Sequence, residues 1–183
     1  GLPLRSCALG GRVGRTARAG PDRRRSTVST HAGLAARIHR ALADVNVVVN
    51  RLVILSDRAR RDSDFAVVDA LALNLQSLYT GMEQIFEAIA REVDEDLPAG
   101  PNWHRDLLDQ MGAEIPGRRP AVIDDESRAC LHEARAFRHV VRNVYSHNLN
   151  AETVSTLAAR MIVCHPHVKQ ALESFAGLLI QSR

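Results

Sequence analysis

Beyond residue 31, apolar residues recur at spacings of three and four, the period of helices with one buried face. Leu34, Ile38, Ala41, Val45, Val48, Val49 and Leu52 predict a first helix over about residues 32–60. The run Val47-Val48-Val49 favours a strand locally, but the longer period outweighs it. Asn46 and Asn50 lie one turn apart beside the stripe, placed for helix–helix hydrogen bonds. Asp62 or Ser63 is placed to cap a second helix, with Val67, Leu71, Leu75, Leu78, Met82, Ile85, Phe86 and Ile89 as its stripe. Asp69, Gln76, Glu83 and Glu87 lie opposite and read as a solvated face, and Asn74 sits at the stripe's edge. Pro98, Gly100 and Pro101 end this helix.

Trp103, Leu107, Leu108 and Met111 predict a short third helix, followed by a loop from Ile115 to Pro120. The fourth starts near Asp124-Asp125, whose carboxylates suit a helix N-terminus, and ends around Asn148-Leu149-Asn150. Asn150 is placed to cap the last helix, along which Val154, Leu157, Met161, Cys164, Val168, Leu172, Phe175 and Leu179 repeat, with Pro166 expected to kink or interrupt it. No repeat, hairpin signal or Gly-rich phosphate loop is present. The fold expected is all-α, an antiparallel bundle of about five helices.

Composition agrees: 183 residues, 45% hydrophobic and 4% aromatic, suit one domain with an aliphatic core. No apolar run approaches the ~20 residues of a membrane span, and none resembles a secretory signal. The net charge of +3 is uneven, since residues 1–30 hold seven arginines against Asp22. Removing that +6 leaves −3 for residues 31–183, so pooled charge does not make the helical part a basic nucleic-acid binder. The stretch 1–30 is aperiodic and rich in Gly, Arg, Ser and Thr. The expected division is a disordered tail over 1–31, basic RNA-binding arm or passive extension, and a helical domain over 32–183. Cys7, Cys130 and Cys164 are scattered and odd in number, a poor disulfide framework that favours a cytoplasmic setting with Cys130 and Cys164 as core residues. Cys164-His165-Pro166-His167 lacks the second Cys/His pair of a structural zinc site, so no metal or cofactor is expected.

The fourth helix is unusual. On a helical wheel Cys130, Ala134, Phe137, Val140, Val141 and Val144 share one side. Arg128, His132, Arg135, His139, Arg142, Asn143 and Ser146 share the other, with three arginines and two histidines. Such a face suits an anion better than the mixed Lys/Glu pattern of a solvated surface. At the helix end, Arg142-Asn143-Val144-Tyr145-Ser146-His147 places an arginine and a histidine five apart, projecting roughly 140° from one another. Asn143 and His147 are one turn apart. Histidine moves protons near neutral pH, and arginine grips phosphate oxygens bidentately. Together they can cleave a phosphodiester without metal. One helix does not easily aim both groups at one phosphate, whereas two copies across a two-fold axis would pool them. The bland alternative is a polar surface ending in a helix-capping histidine.

Asp69-Ala-Leu-Ala-Leu-Asn74-Leu, Tyr79-Thr-Gly-Met-Glu83, Ile85-Phe86-Glu87, Asn102-Trp103-His104-Arg105 and Phe137-Arg138-His139-Val140-Val141-Arg142-Asn143-Val144-Tyr145-Ser146-His147 resemble the HEPN superfamily, and within it the HepT-like proteins of bacterial toxin–antitoxin pairs. The resemblance spans about residues 34–182. It implies a HEPN-like bundle and a dimeric, metal-independent endoribonuclease toxin with a small nucleotidyltransferase as antitoxin. It also implies Arg142 and His147 as catalytic residues, with Asn143 as the polar residue after the arginine. Arg135, Arg138 and His139 extend the basic face for the RNA backbone. Some HepT proteins carry, two residues after the histidine, a tyrosine that the antitoxin adenylylates; this chain has Leu149 there. Tyr145 is the remaining candidate for modification, at the border of the apolar side, and also reads as a packing residue. Two other readings stand beside the nuclease: a non-catalytic module binding a nucleotide or the nucleotidyltransferase, and a helical dimerisation domain. His104, beside Trp103, reads either as a base-stacking residue or as part of an anchor for the third helix.

Overall fold

The computed structural model describes residues 23–62, 64–143 and 149–181, with side chains from residue 31 onward except at 139, 140, 142 and 143. Among the described residues the helices are α1 Arg23–Ala59, α2 Phe65–Ile89, α3 Trp103–Gly112, α4 Asp125–Asn143 and α5 Ala151–Gln181. A π-helical turn, Ala90–Asp94, continues α2. There is no strand among these residues, and Ile115 and Arg119 form an isolated bridge. The all-α bundle expected from the periodicity is the observed architecture.

Each stripe lands in one core. Leu34, Ile38, Val45, Val49 and Leu52 of α1 are buried, as are Leu71, Leu75, Leu78, Met82 and Phe86 of α2 and Val154, Met161, Val168 and Leu172 of α5. Burying each large side chain contributes about 1.5–3 kcal/mol relative to exposure. Val47 stays 52% exposed, so the β-branched run is absorbed into the helix with one member outside it. The α1–α2 hairpin is antiparallel and close, for a Cβ on Gly81 would lie 2.7 Å from Val45 Cγ2.

Several boundaries differ from those expected. α1 starts at Arg23, ahead of residue 32, because periodicity marks where burial begins rather than where the helix begins. Adding residues to an existing helix costs little. Residues 1–22 lie outside the described residues. Asp64, not Asp62 or Ser63, caps α2, its Oδ1 accepting from Ala66 N–H at 2.9 Å. Asn150 caps α5 as expected, its Oδ1 accepting from Thr153 N–H at 2.9 Å. Pro166 does not interrupt α5, because Met161, His165, Val168 and Leu172 are buried on both sides of it and tertiary packing holds the helix together.

The path leaves α2 before the prolines are reached. Glu95 adopts a left-handed conformation, φ 56°, and turns the chain toward α3. The π turn leaves Asp94 buried, where Arg119 Nε and Nη2 donate to its two carboxylate oxygens at 2.6 and 2.8 Å. Arg119 Nη1 donates to the carbonyls of Ala113 and Pro120, and Nη2 also to that of Gln110. This pair pins the loop of residues 115–120 beneath α3, which sets the height at which α4 begins.

Candidate functional site on α4

Helix α4 starts where Asp124 Oδ1 accepts from Ser127 N–H at 2.8 Å. These bonds to Ser127 hold the Asp124 carboxyl below the usual carboxylate range. Its apolar side, with Cys130, Leu131, Ala134 and Phe137 buried, faces the core. Its polar side faces α3 and α2, so much of the basic stripe is occupied from within.

Two relays of the same composition run along that side. In the first, Asp109 Oδ1 of α3 accepts from His132 Nε2 at 2.9 Å, and Arg135 Nε donates to His132 Nδ1 at 3.4 Å. Arg128 Nη1 donates to the same Asp109 oxygen at 3.0 Å, and its Nη2 to Asp125 at 2.8 Å. Burial opposes ionisation of Asp109, but the hydrogen bonds from His132 and Arg128 prevail and lower its pKa. The expectation of a free anion-binding face therefore fails for Arg128 and His132, which a wheel places correctly without showing that α3 lies against them.

In the second relay, His104 at the start of α3 hydrogen-bonds through Nδ1 to Glu83 Oε1 of α2. Arg138 Nη1 donates to His104 Nε2 at 3.2 Å, and its Nη2 lies 3.7 Å from Glu83 Oε2. The carboxylate assigns the proton to Nδ1, and the guanidinium assigns the lone pair to Nε2. Glu83 is only 4% exposed, which overturns its placement on a solvated face. Tyr79, one turn earlier, is buried beside it; burial, then the Glu83 charge, pushes its hydroxyl pKa up and keeps it protonated. Trp103 packs against the core and stacks on His104, ring centroids 3.6 Å apart. Arg138 Nε is buried without a hydrogen-bond partner. Asn74, by contrast, bonds only within α2, Nδ2 to the Ala70 carbonyl at 2.8 Å.

Of the residues singled out for chemistry, Arg135 and Arg138 are half-buried at the two relays. Arg142 and Asn143 lie in the last turn of α4, and His139 one turn before them, with side chains outside the described ones. Tyr145, Ser146 and His147 lie outside the described residues altogether. The sequence reading missed Glu83, Tyr79 and Asp109. The available signal was the pair Tyr79 and Glu83, one turn apart at the edge of an otherwise apolar stripe.

The far side of α4 corrects the cysteine reading. Cys130 and Cys164 form a disulfide between α4 and α5, Cα–Cα 6.6 Å, so the cysteine count carries no argument about compartment. A separation of 34 in sequence hides their proximity because α4 and α5 run antiparallel, Glu133 pairing with Arg160 at 2.8 Å one turn along. Beside the disulfide is an open cleft of about 430 Å³ that includes Val163 and His167. Among the described residues no group of three His, Cys, Asp or Glu side chains is placed to hold a metal ion.

The family model for HepT-like proteins matches residues 70–179, more than half of the chain. The chain belongs to the HepT-like family of the HEPN superfamily. In this HepT-like protein the matched range takes in both relays and the Arg142–His147 stretch, while α1 lies outside it. Leu149 is partly buried against the core. No curated protein and no solved structure matches the chain significantly. No helix among the described residues is long and apolar enough to cross a membrane.

Proposed function

We propose that this HepT-like protein is a metal-independent endoribonuclease whose cleavage site is built on Arg142 and His147. Arg142 stabilises the charged transition state, and His147 moves a proton at the scissile phosphate. Asn143 orients the site, while Arg135, Arg138 and His139 hold the RNA backbone. Two copies of the chain pool their motifs in a homodimer, and the protein acts as the toxin of a pair with a minimal nucleotidyltransferase. The observation that carries this reading is the family match across the whole Arg142–His147 stretch. In the second relay Arg138 shares Glu83 with His104, beside the protonated phenol of Tyr79.

The test is RNA cleavage and growth inhibition by Arg142→Ala and His147→Ala. Both are expected to lose both activities with helical content unchanged, and a chelator is expected to leave the parent chain active. Full cleavage by either variant overturns the assignment.

Leu149 and the internally paired Arg128 and His132 favour a second reading, a module that binds nucleotide or the nucleotidyltransferase without cleaving. Binding of RNA that is left intact by the parent chain distinguishes it. The modification of Tyr145 fits neither reading better.

A further inference from the structure

We propose that Cys164 is a thiol-exchange site: a low-molecular-weight thiol enters the cleft between α4 and α5, attacks Cys164 Sγ and forms a mixed disulfide there, releasing Cys130. This chemistry does not depend on the ribonuclease reading and uses only the seam between the two helices.

On this face the seam is bridged across open space. The Cys130–Cys164 disulfide and the Glu133–Arg160 ion pair at 2.8 Å link the helices. Both cysteines line the cleft of about 430 Å³, which is within the ~300–1,000 Å³ of sites that take small molecules. A second cleft of about 540 Å³, bordered by Phe137 and Thr153, follows along the seam, and Arg160 lines both. Side chains that border open space lack packing partners on that side, so the covalent bond does more of the holding.

Exchange depends on access to a sulfur and on stabilisation of the thiolates. Cys130 is 8% exposed, whereas Cys164 is half-buried, so Cys164 is the sulfur that is reached and Cys130 the one that leaves. Arg160, four residues before Cys164, and His167, three after it, lie on the same side of α5 and line the same cleft. Arg160 supplies a fixed positive charge, shared with Glu133, and His167 a second when protonated; both favour thiolate over thiol. Glu126 lines the α4 side. A thiol mounted on a large molecule needs a sulfur that stands clear of the surface. Here the sulfurs belong to one buried and one half-buried residue in a cleft wall, which suits a small thiol of glutathione's class.

The thiol itself balances the reaction. Its thiolate attacks Cys164 Sγ, the bond between the two cysteines breaks, and Cys130 Sγ leaves with the electron pair and takes a proton. A second thiol attacks the sulfur of the bound adduct, giving the Cys164 thiol and an oxidised small disulfide. Two small thiols are oxidised, and one protein disulfide is reduced to two thiols. The oxidised small disulfide drives the same steps in reverse.

The experiment uses the full chain carrying Cys7→Ser, so that Cys130 and Cys164 alone report. The native chain is treated with reduced glutathione, quenched with acid and mapped by peptide mass. The adduct is expected on Cys164, at least about tenfold over Cys130. The rate of reduction is expected to rise in proportion to thiol concentration. Polyethylene glycol of several kilodaltons bearing one terminal thiol is expected to react at least about tenfold more slowly per thiol. In Cys130→Ala, oxidised glutathione is expected to load Cys164, and adding Ala159→Trp to fill the cleft should slow loading at least about tenfold with circular dichroism unchanged. If either variant does not fold, the rate law and the polymer comparison on the parent disulfide carry the test. An adduct mainly on Cys130 overturns the proposal. So does a rate that levels off at the unfolding rate as thiol is raised, because the sulfurs are then reached only through the unfolded chain. Equal reactivity of glutathione and the polymer thiol overturns it as well.

Discussion

Arg119, buried, and Arg138, half-buried, each pack against a carboxylate from the α2 segment, yet they differ in what remains unspent. Arg119 is 2% exposed, Asp94 is fully buried, and all the guanidinium N–H groups are used, on Asp94 and three backbone carbonyls. Arg138 is 18% exposed, shares Glu83 with His104, and keeps Nε without a partner. A saturated pair fixes a loop and offers a ligand nothing. An unsaturated one leaves a buried donor unspent and is the less tightly fixed of the two. Position sharpens the contrast, because Arg119 lies under the loop of residues 115–120 and Arg138 lies one turn from Arg142.

The largest effect is expected where the saturated pair is cut. Asp94→Ala leaves Arg119 charged and buried without its partner and should destabilise the fold by about 3–5 kcal/mol in denaturant unfolding. Glu83→Ala, whose guanidinium partner can turn toward solvent, should cost only about 1–3 kcal/mol. Equal losses would erase the distinction between a structural and an open cluster.

Next comes the bond that holds the open cluster's helix from behind. Opening Cys130–Cys164 frees a loop of 34 residues containing the whole Arg142–His147 stretch. Reduction should lower unfolding stability by about 3–4 kcal/mol in the chain-entropy description, or less where the reduced chain keeps structure. A Cys130→Ala chain should be insensitive to reductant, and identical unfolding of the oxidised and reduced parent would show that the bond restrains nothing.

The smallest effect concerns His165, a buried side chain whose Nε2, like Nε of Arg128 and of Arg138, has no hydrogen-bond partner. Burial, then Lys169, lowers its pKa against a weaker opposing pull from Glu173, so it is neutral in the fold. The sign follows from linkage: a His with a depressed folded pKa contributes fully above its ordinary value, and the contribution is lost as pH falls toward the lowered one. The melting temperature should drop by a few degrees below about pH 6.5, and His165→Leu should flatten that decline. An unchanged slope in the variant would show that His165 does not carry the decline, since Asp109 and Asp124, with pKa values lowered from the ordinary 3.8, lose their contributions only in more acid solution.

Most of the helical architecture was legible in the chain itself. Three- and four-residue spacings located every stripe, Asn150 announced α5, and Trp103 with Leu107, Leu108 and Met111 announced α3. The Arg142–His147 stretch and the HepT-like resemblance were equally visible, because both are local patterns. What the sequence determined by itself is therefore periodicity, capping and motif, properties of residues within a few turns of one another.

Tertiary structure alone decided which polar residues are spent inside the bundle. A wheel gives a direction from a helix axis and says nothing of what stands there, so Glu83 and Asp109 looked solvated or incidental until α2, α3 and α4 converged. The same limit hid the Cys130–Cys164 bond and the Asp94–Arg119 pair, whose partners are 34 and 25 residues apart. The physical reason is common to all of these. A carboxylate, a thiol or a guanidinium takes its state from the groups that surround it, and those are brought by other helices.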